Sequence, residues 1–150
     1  FGSLNILIDL AGTIDRGSIE GVEVDSWKLT MDVTNMGMFL GVRAVAPPMR
    51  EAGGGSIVLI SSMAAKLASD YAAGYATSRA GMTHFARAAA VQLGADNIRV
   101  NTVLPGWTVT PFTQSVLEDA AGTEWRNRSA PRSLGHRRRD CKRDPVSGIR

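Results

Sequence analysis

Ser62, Tyr75 and Arg79 are the residues whose types and spacing could do chemistry. Ser62 stands thirteen positions before Tyr75, and Arg79 four positions after it. On a helix, a spacing of four puts Tyr75 and Arg79 on one face. A cation there would favour the phenolate and lower the phenol's pKa. A phenol so tuned can exchange a proton with an alcohol or carbonyl near neutral pH. Ser62, at a neighbouring strand end, could hydrogen-bond the same substrate oxygen. On spacing alone, a surface tyrosine on an Ala-rich helix and a helix-capping serine account for these residues as well, and both readings stand at this point.

The elements that must position these residues follow from the apolar pattern. Leu4 to Leu10 is short and mostly apolar and runs into Ala11-Gly12, which suits a buried parallel strand ending in a turn. Asp25-Ser26-Trp27 could cap a helix. From Trp27 to Met49 apolar residues recur at helical spacing, and Pro47-Pro48 strains that helix near its end. Ser56 to Ile60 is a second strand, stopping at Ser61-Ser62. Ala72 to Leu93 reads as a helix rich in small residues, with Gly94 as its C-terminal cap. Ile98 to Val103 is a third strand, closed by Pro105-Gly106, and Pro111 to Ala121 suits a short helix on a loop. Strands alternating with crossover helices predict an α/β parallel sheet with helices on both faces. Ligands of such sheets bind beyond the carboxyl ends of the strands, here Ala11-Gly12, Ser61-Ser62 and Pro105-Gly106.

Composition narrows the chemistry. The chain has 150 residues, 44% hydrophobic and 21% charged, which allows one domain and argues against a disordered chain. Cys141 is the only cysteine, and His84 and His136 are the only histidines, so neither a disulfide framework nor a structural metal site is expected. No apolar run reaches the ~20 residues of a membrane span, and no secretory signal stands at the start, so a cytoplasmic setting is expected. The formal charge of +3 is uneven: residues 132–150 hold 7 of the 17 Lys and Arg but 2 of the 14 Asp and Glu.

Several motifs together resemble the short-chain dehydrogenases/reductases. They are Gly55-Ser56-Ile57-Val58-Leu59-Ile60-Ser61-Ser62, then Tyr75-Ala76-Thr77-Ser78-Arg79-Ala80-Gly81, then Asn97 to Gly106 followed by Thr110-Pro111. Met38-Phe39-Leu40-Gly41 with Pro47-Pro48-Met49 is similar to the long helix before the serine strand. The resemblance covers residues 1–131. It implies a partial Rossmann-type doubly wound sheet in three α/β/α layers, and hydride transfer between NAD or NADP and a small-molecule alcohol or carbonyl. It implies Ser62 as the serine that holds the substrate oxygen and Tyr75 as the general acid/base. Arg79 stands where the family has a lysine that binds the nicotinamide ribose; arginine keeps the charge, but its fork is larger and gives up no proton. Ala11 and Gly12 resemble the backbone passing the adenosine half of the cofactor. Pro105, Gly106, Thr108 and Thr110 resemble the loop beside its nicotinamide end, and Phe112, Val116, Leu117 and Trp125 the substrate-covering flap.

The chain also departs from the family pattern. Asp9 and Leu10 replace two asparagines at the end of the first strand. Thr34 replaces the helix asparagine, and Asn35 is one residue late, a slip of about 100° around a helix. Asn35 is a weak substitute on that count, and an exposed helix asparagine describes it equally well. No glycine-rich phosphate loop stands between a strand and a helix. The chain begins at what resembles the family's fourth strand, so an absent N-terminal part is expected.

Residues 132–150 lack the acidic helix start and apolar helix that the family has there. Shifting a permitted codon string for this tail by one base, with degenerate bases chosen to favour the match, yields ARSGTAEEIASAIRYLAS, which is similar to that segment. The expectation is a frameshift near residues 129–133, leaving a disordered basic tail with no nucleic-acid partner. Two functions are carried forward. One is an NAD(P)-dependent oxidoreductase, truncated, impaired, and a homo-oligomer when complete. The other is a non-catalytic remnant or oligomerisation module. Neither a membrane nor a nucleic acid is expected as partner.

Overall fold

The structure is a computed structural model, and it describes residues 2–67, 72–108, 110 and 113. The chain divides into two units, Phe1–Leu104 and Pro105–Arg150, and the elements below belong to the first. β1 (Ile6–Asp9), β2 (Gly55–Ile60) and β3 (Ile98–Val103) pair in parallel in that order. Their register sets Leu7 opposite Ile57 and Ile57 opposite Val100. Parallel neighbours need long crossovers. The first runs through α1 (Val24–Met31), a π-helical turn (Asp32–Met36) and α2 (Gly37–Glu51). The second is α3 (Ala73–Leu93), which a short 3₁₀ turn at Met63–Ala65 precedes.

Both crossovers step the same way across the sheet. Right-handed connections of that kind place both helices on one face. Burial agrees: Met38, Val42 and Met49 of α2 and Met82, Ala86 and Ala89 of α3 pack with Ile57, Leu59, Ile98 and Val100. Burying a side chain such as Ile57 or Leu59 stabilises by about 1.5–3 kcal/mol. The opposite face carries exposed Ile6, Ile8 and Val103 with exposed Arg99 and Asn101. The parallel α/β sheet expected from the strand and helix order is present, and its described helices α2 and α3 form a single layer.

Local differences from the sequence reading have physical causes. The helix expected from Trp27 is two α-helices joined by the π turn. Its N-terminal residue is Glu23, with no side-chain cap. Asp25 lies inside the first turn and pairs with Lys28 at 3.4 Å. As expected, α2 runs through Pro47 and Pro48 near its end, and buried Ala46 and Met49 carry it to Glu51. Gly94 stays right-handed, and Asn97, at φ 58°, takes the left-handed position expected of a C-terminal glycine. Tyr71, most of the expected 111–121 helix, the flap residues Phe112, Val116, Leu117 and Trp125, and the 132–150 tail lie outside the described residues.

Candidate active site

The end of β2 presents two serines with different tasks. The buried Ser61 hydroxyl donates to the carbonyl oxygen of Arg79 at 2.9 Å, and its oxygen lies 3.0 Å from Thr83 Oγ1. Thr83 donates to the same carbonyl at 3.0 Å. These bonds tie the strand end to α3 one turn beyond Tyr75. Ser62 caps the following 3₁₀ turn, its Oγ accepting the Ala64 amide at 3.1 Å. An acceptor bond leaves the Ser62 O–H as a donor.

Tyr75 lies in the first turn of α3, where amide groups lack intrahelical acceptors. Ala72, the residue before the helix, has no side-chain acceptor to offer. The acceptor comes from Asp15, a fully buried carboxylate between β1 and α1. One of its oxygens takes the Gly74 N–H at 2.9 Å and the other the Tyr75 N–H at 2.5 Å. Caps of this kind are worth about 1 kcal/mol, and a carboxylate also suits the helix dipole. A Cβ at residue 74 would lie 2.6 Å from Asp15 Oδ2 and 2.9 Å from Trp27 Cε3, so the glycine is what admits the carboxylate. A parallel bridge between Gly17 and Ala72 holds the same two segments together.

Arg79 is on the same face of α3 as Tyr75, as their spacing requires. Its guanidinium carbon stands 5.0 Å from the centre of the Tyr75 ring, over the ring face. Nη1 donates to the Ile60 carbonyl at 2.8 Å and reaches the Ala11 carbonyl at 3.5 Å. Nη2 lies where a side chain at residue 12 would begin, so only glycine fits there beside this arginine. The buried Nε has no hydrogen-bond partner among the described residues. Arg79, Ala11, Gly12 and the end of β2 therefore form one cluster at the carboxyl ends of β1 and β2. Ala11 and Gly12 remain exposed there.

The π turn alters the reading of Asn35. A π turn is wider than an α turn, so the 100° slip computed for an α-helix does not apply. Asn35 is half-buried and its Nδ2 donates to the Ser78 carbonyl of α3 at 3.0 Å. It is not an exposed helix asparagine. Thr34 is fully buried, and its Oγ1, like Asn35 Oδ1, has no partner among the described residues. Asp9 shapes the loop after β1 by accepting the Ala11 amide at 2.8 Å.

Pro105, Gly106, Thr108 and Thr110 fall in the second unit. There Thr113 Oγ1 donates to the Thr108 carbonyl at 2.6 Å and accepts the Thr110 amide at 3.0 Å, which knots this loop on itself. Sequence reasoning singled out Ser62, Tyr75 and Arg79, and Ser61 as part of the same strand end; it did not name Asp15 or Thr83. The only signal for Asp15 was the absence of a polar cap at Ala72. Among the described residues no group of three His, Cys, Asp or Glu is placed to hold a metal ion, and no helix is long and apolar enough to cross a membrane.

The family model for enoyl-(acyl carrier protein) reductase matches residues 1–142. The chain belongs to the short-chain dehydrogenase/reductase family. It is 40% identical over 119 residues to a 3-alpha-(or 20-beta)-hydroxysteroid dehydrogenase of Mycobacterium bovis, covering 79% of this chain and 46% of that one. It is 42% identical over 113 residues to a trans-4-hydroxycyclohexanecarboxylate dehydrogenase of Sinomonas cyclohexanicum, covering 75% and 43%. The chain thus spans under half the length of the curated relatives it matches. Among solved structures, a gluconate 5-dehydrogenase from Burkholderia cenocepacia in complex with NADP and tartrate superposes with a TM-score of 0.88 at 28% identity. That match covers 93% of this chain and 55% of the other. A 7-alpha-hydroxysteroid dehydrogenase complexed with NADH and 7-oxo glycochenodeoxycholic acid gives 0.85 at 29% identity, over 93% of this chain and 54% of that one. The short-chain dehydrogenases/reductases among these neighbours share the parallel sheet described above, and the relatives carry the names of oxidoreductases.

Proposed function

We propose that this chain carries the catalytic half of an NAD(P)-dependent dehydrogenase acting on secondary alcohols of saturated rings. The observation that carries the reading is the polarity of Ser62: with its oxygen accepting from Ala64, its O–H is left to donate to a substrate oxygen. Tyr75, whose hydroxyl makes no hydrogen bond to another described residue, would take the alcohol proton on oxidation and return it on reduction. Arg79 would hold positive charge over the Tyr75 ring and beside the strand ends. Asn35 would steady α3 through Ser78. The ring preference rests on the names of the relatives, which include hydroxysteroid, hydroxycyclohexanecarboxylate and cyclopentanol dehydrogenases.

The exposed backbone at Ala11 and Gly12 leaves room for the adenosine half of the cofactor to pass, and Arg79 stands beside it as a donor. Tyr75 and Arg79 would flank the ribose. The bound nicotinamide supplies the hydride acceptor. The sequence holds no glycine-rich loop for the pyrophosphate, so we place dinucleotide affinity and turnover of this chain alone well below those of a whole enzyme. We also propose a self-association surface along α2 and the π turn before it, where Met36, Phe39 and Leu40 are exposed and Phe39 meets Phe85 of α3 edge to face at 6.4 Å.

The test joins residues 1–131 to the N-terminal half of the Mycobacterium bovis relative. NAD(P)-dependent oxidation of cyclohexanol is expected, falling by at least ~100-fold in Tyr75→Phe. Absence of turnover in the fusion, or an unchanged Tyr75→Phe rate, would sink the proposal. Sedimentation of the fusion checks the association surface: Phe39→Glu should yield a smaller species.

A further inference from the structure

Asp15 is the only described side chain that accepts the amide of Tyr75, and it reaches that amide across 60 residues of sequence. Its burial is nearly complete, at 1% exposure. A buried carboxylate is costly unless its oxygens are hydrogen-bonded, and here each oxygen holds one first-turn amide of α3. The neighbouring residue is a glycine that leaves the space the carboxylate uses. The loop that carries Asp15 is fastened again two residues later, by the Gly17–Ala72 bridge. α3 has no cap from its own sequence, so among the described residues its first-turn amides have no other side-chain acceptor.

We infer that Asp15 is a positioning residue for Tyr75: it fixes the tyrosine's backbone, and so holds the ring beneath the Arg79 guanidinium. This rests on the reading of Tyr75 as the acid/base. Two ties bracket that residue. Asp15 fixes α3 at residues 74 and 75, and Ser61 fixes it at the Arg79 carbonyl. With only the Ser61 tie and the Asn35–Ser78 bond, both of which hold α3 beyond Tyr75, its first turn is free to fray, because first-turn amides without an acceptor prefer water. Ser62 is held by β2 and its own turn and does not depend on Asp15.

The test reads the stack and the amides directly, and needs no turnover. Nuclear magnetic resonance of the full chain reports Arg79 side-chain protons lying over an aromatic face as upfield-shifted, and amide exchange reports Gly74 and Tyr75 one by one. Asp15→Ala is expected to remove the upfield shift and to speed exchange of those two amides by about tenfold. Amides of Ile57, Leu59 and Val100 should keep their protection. Asp15→Asn retains one oxygen acceptor and sets its NH2 against the other amide, so it is expected to keep the stack and the protection of one of the two amides. Should Asp15→Ala unfold the chain, Asp15→Asn and Gly74→Ala decide it: the first should keep the stack and the second lose it. The inference is overturned if Asp15→Ala leaves the stack in place. It is equally overturned if Asp15→Asn loses the protection of β2 and β3 amides together with the stack, since Asp15 would then serve the whole fold and not Tyr75. A failed acid/base role for Tyr75 would appear in the fusion kinetics and leave these readouts unchanged.

Discussion

Arg79 reaches out of α3 and donates through Nη1 to the carbonyl oxygen of Ile60, the last residue of β2, at 2.8 Å. The same side chain covers the face of Tyr75. One cation thus links the helix of the candidate acid/base to the strand that leads into Ser62. A lysine in its place has one nitrogen to divide between these tasks, and its compact charge does not stack as a planar fork does. Arg79→Lys should lower stability by about 1–3 kcal/mol, read from urea denaturation of the chain. In the fused enzyme the same change should raise the rate, because lysine is the residue the family resemblance implies there. A variant that matches the parent in both assays would contradict this.

Gly12 tests the same cluster from the other side. A methyl group there must displace the Arg79 fork, which is buried and bonded. Gly12→Ala should cost about 1–3 kcal/mol as overpacking. Paired with Arg79→Ala, the penalty should largely vanish. A double-mutant cycle in urea checks this; simple additivity would show that the two residues do not compete for space.

Thr34 supplies a stabilising change. It is fully buried, and its hydroxyl has no partner among the described residues. Valine keeps the shape and removes the unpaired polar group. Thr34→Val should raise stability by about 1 kcal/mol. Thermal unfolding followed by circular dichroism measures it, and a lower midpoint would mean that the hydroxyl has work to do.

A surface pair gives the pH dependence. Arg50 at the end of α2 donates to Asp96, before β3, at 2.6 Å. Hydrogen bonding to the guanidinium holds the Asp96 carboxyl below its ordinary value, and the bond to Asp96 holds Arg50 above its own. A carboxyl with a depressed folded pKa contributes stability above its unfolded pKa and loses it as pH falls through the folded value. The raised Arg50 contributes at every pH below the ordinary arginine range, so acid does not remove its share directly. Asp96→Asn should therefore be less stable than the parent at neutral pH, by the small amount typical of exposed pairs, and equal to it in strong acid. Salt should narrow the gap at neutral pH. A gap that persists in acid would assign the effect to something other than charge.

What could be read from sequence and what could not divides along range. Tyr75 and Arg79 share a face because four residues make about one helical turn, a local rule that no distant contact can undo. The three strand segments were legible because short apolar runs in a parallel sheet are buried together. The half-burial of Asn35 was not legible because a π turn is not written in propensity or spacing. Asp15 could not be named for a different reason. Its partners lie 59 and 60 residues away, and nothing in Gly12-Thr13-Ile14-Asp15-Arg16 announces a carboxylate that will cap another helix. Asp9, which replaces an asparagine of the family pattern, satisfies the amide of Ala11 at 2.8 Å, a loop contact that its charge does not reveal.

The uncovered face of the sheet has a calorimetric consequence. Ile6 and Ile8 are 63% and 56% exposed, and Leu10 just beyond them 67%. Such side chains keep more than half of their surface in water in the folded chain. They therefore add little to the heat capacity of unfolding, which follows newly exposed apolar surface. The ordinary value is ~12–15 cal/mol/K per residue, and this chain should fall below it. Its free energy of unfolding should then vary less steeply with temperature on both sides of the maximum, with the cold transition pushed further below freezing. Scanning calorimetry at several pH values, plotted as enthalpy against midpoint, gives the slope directly.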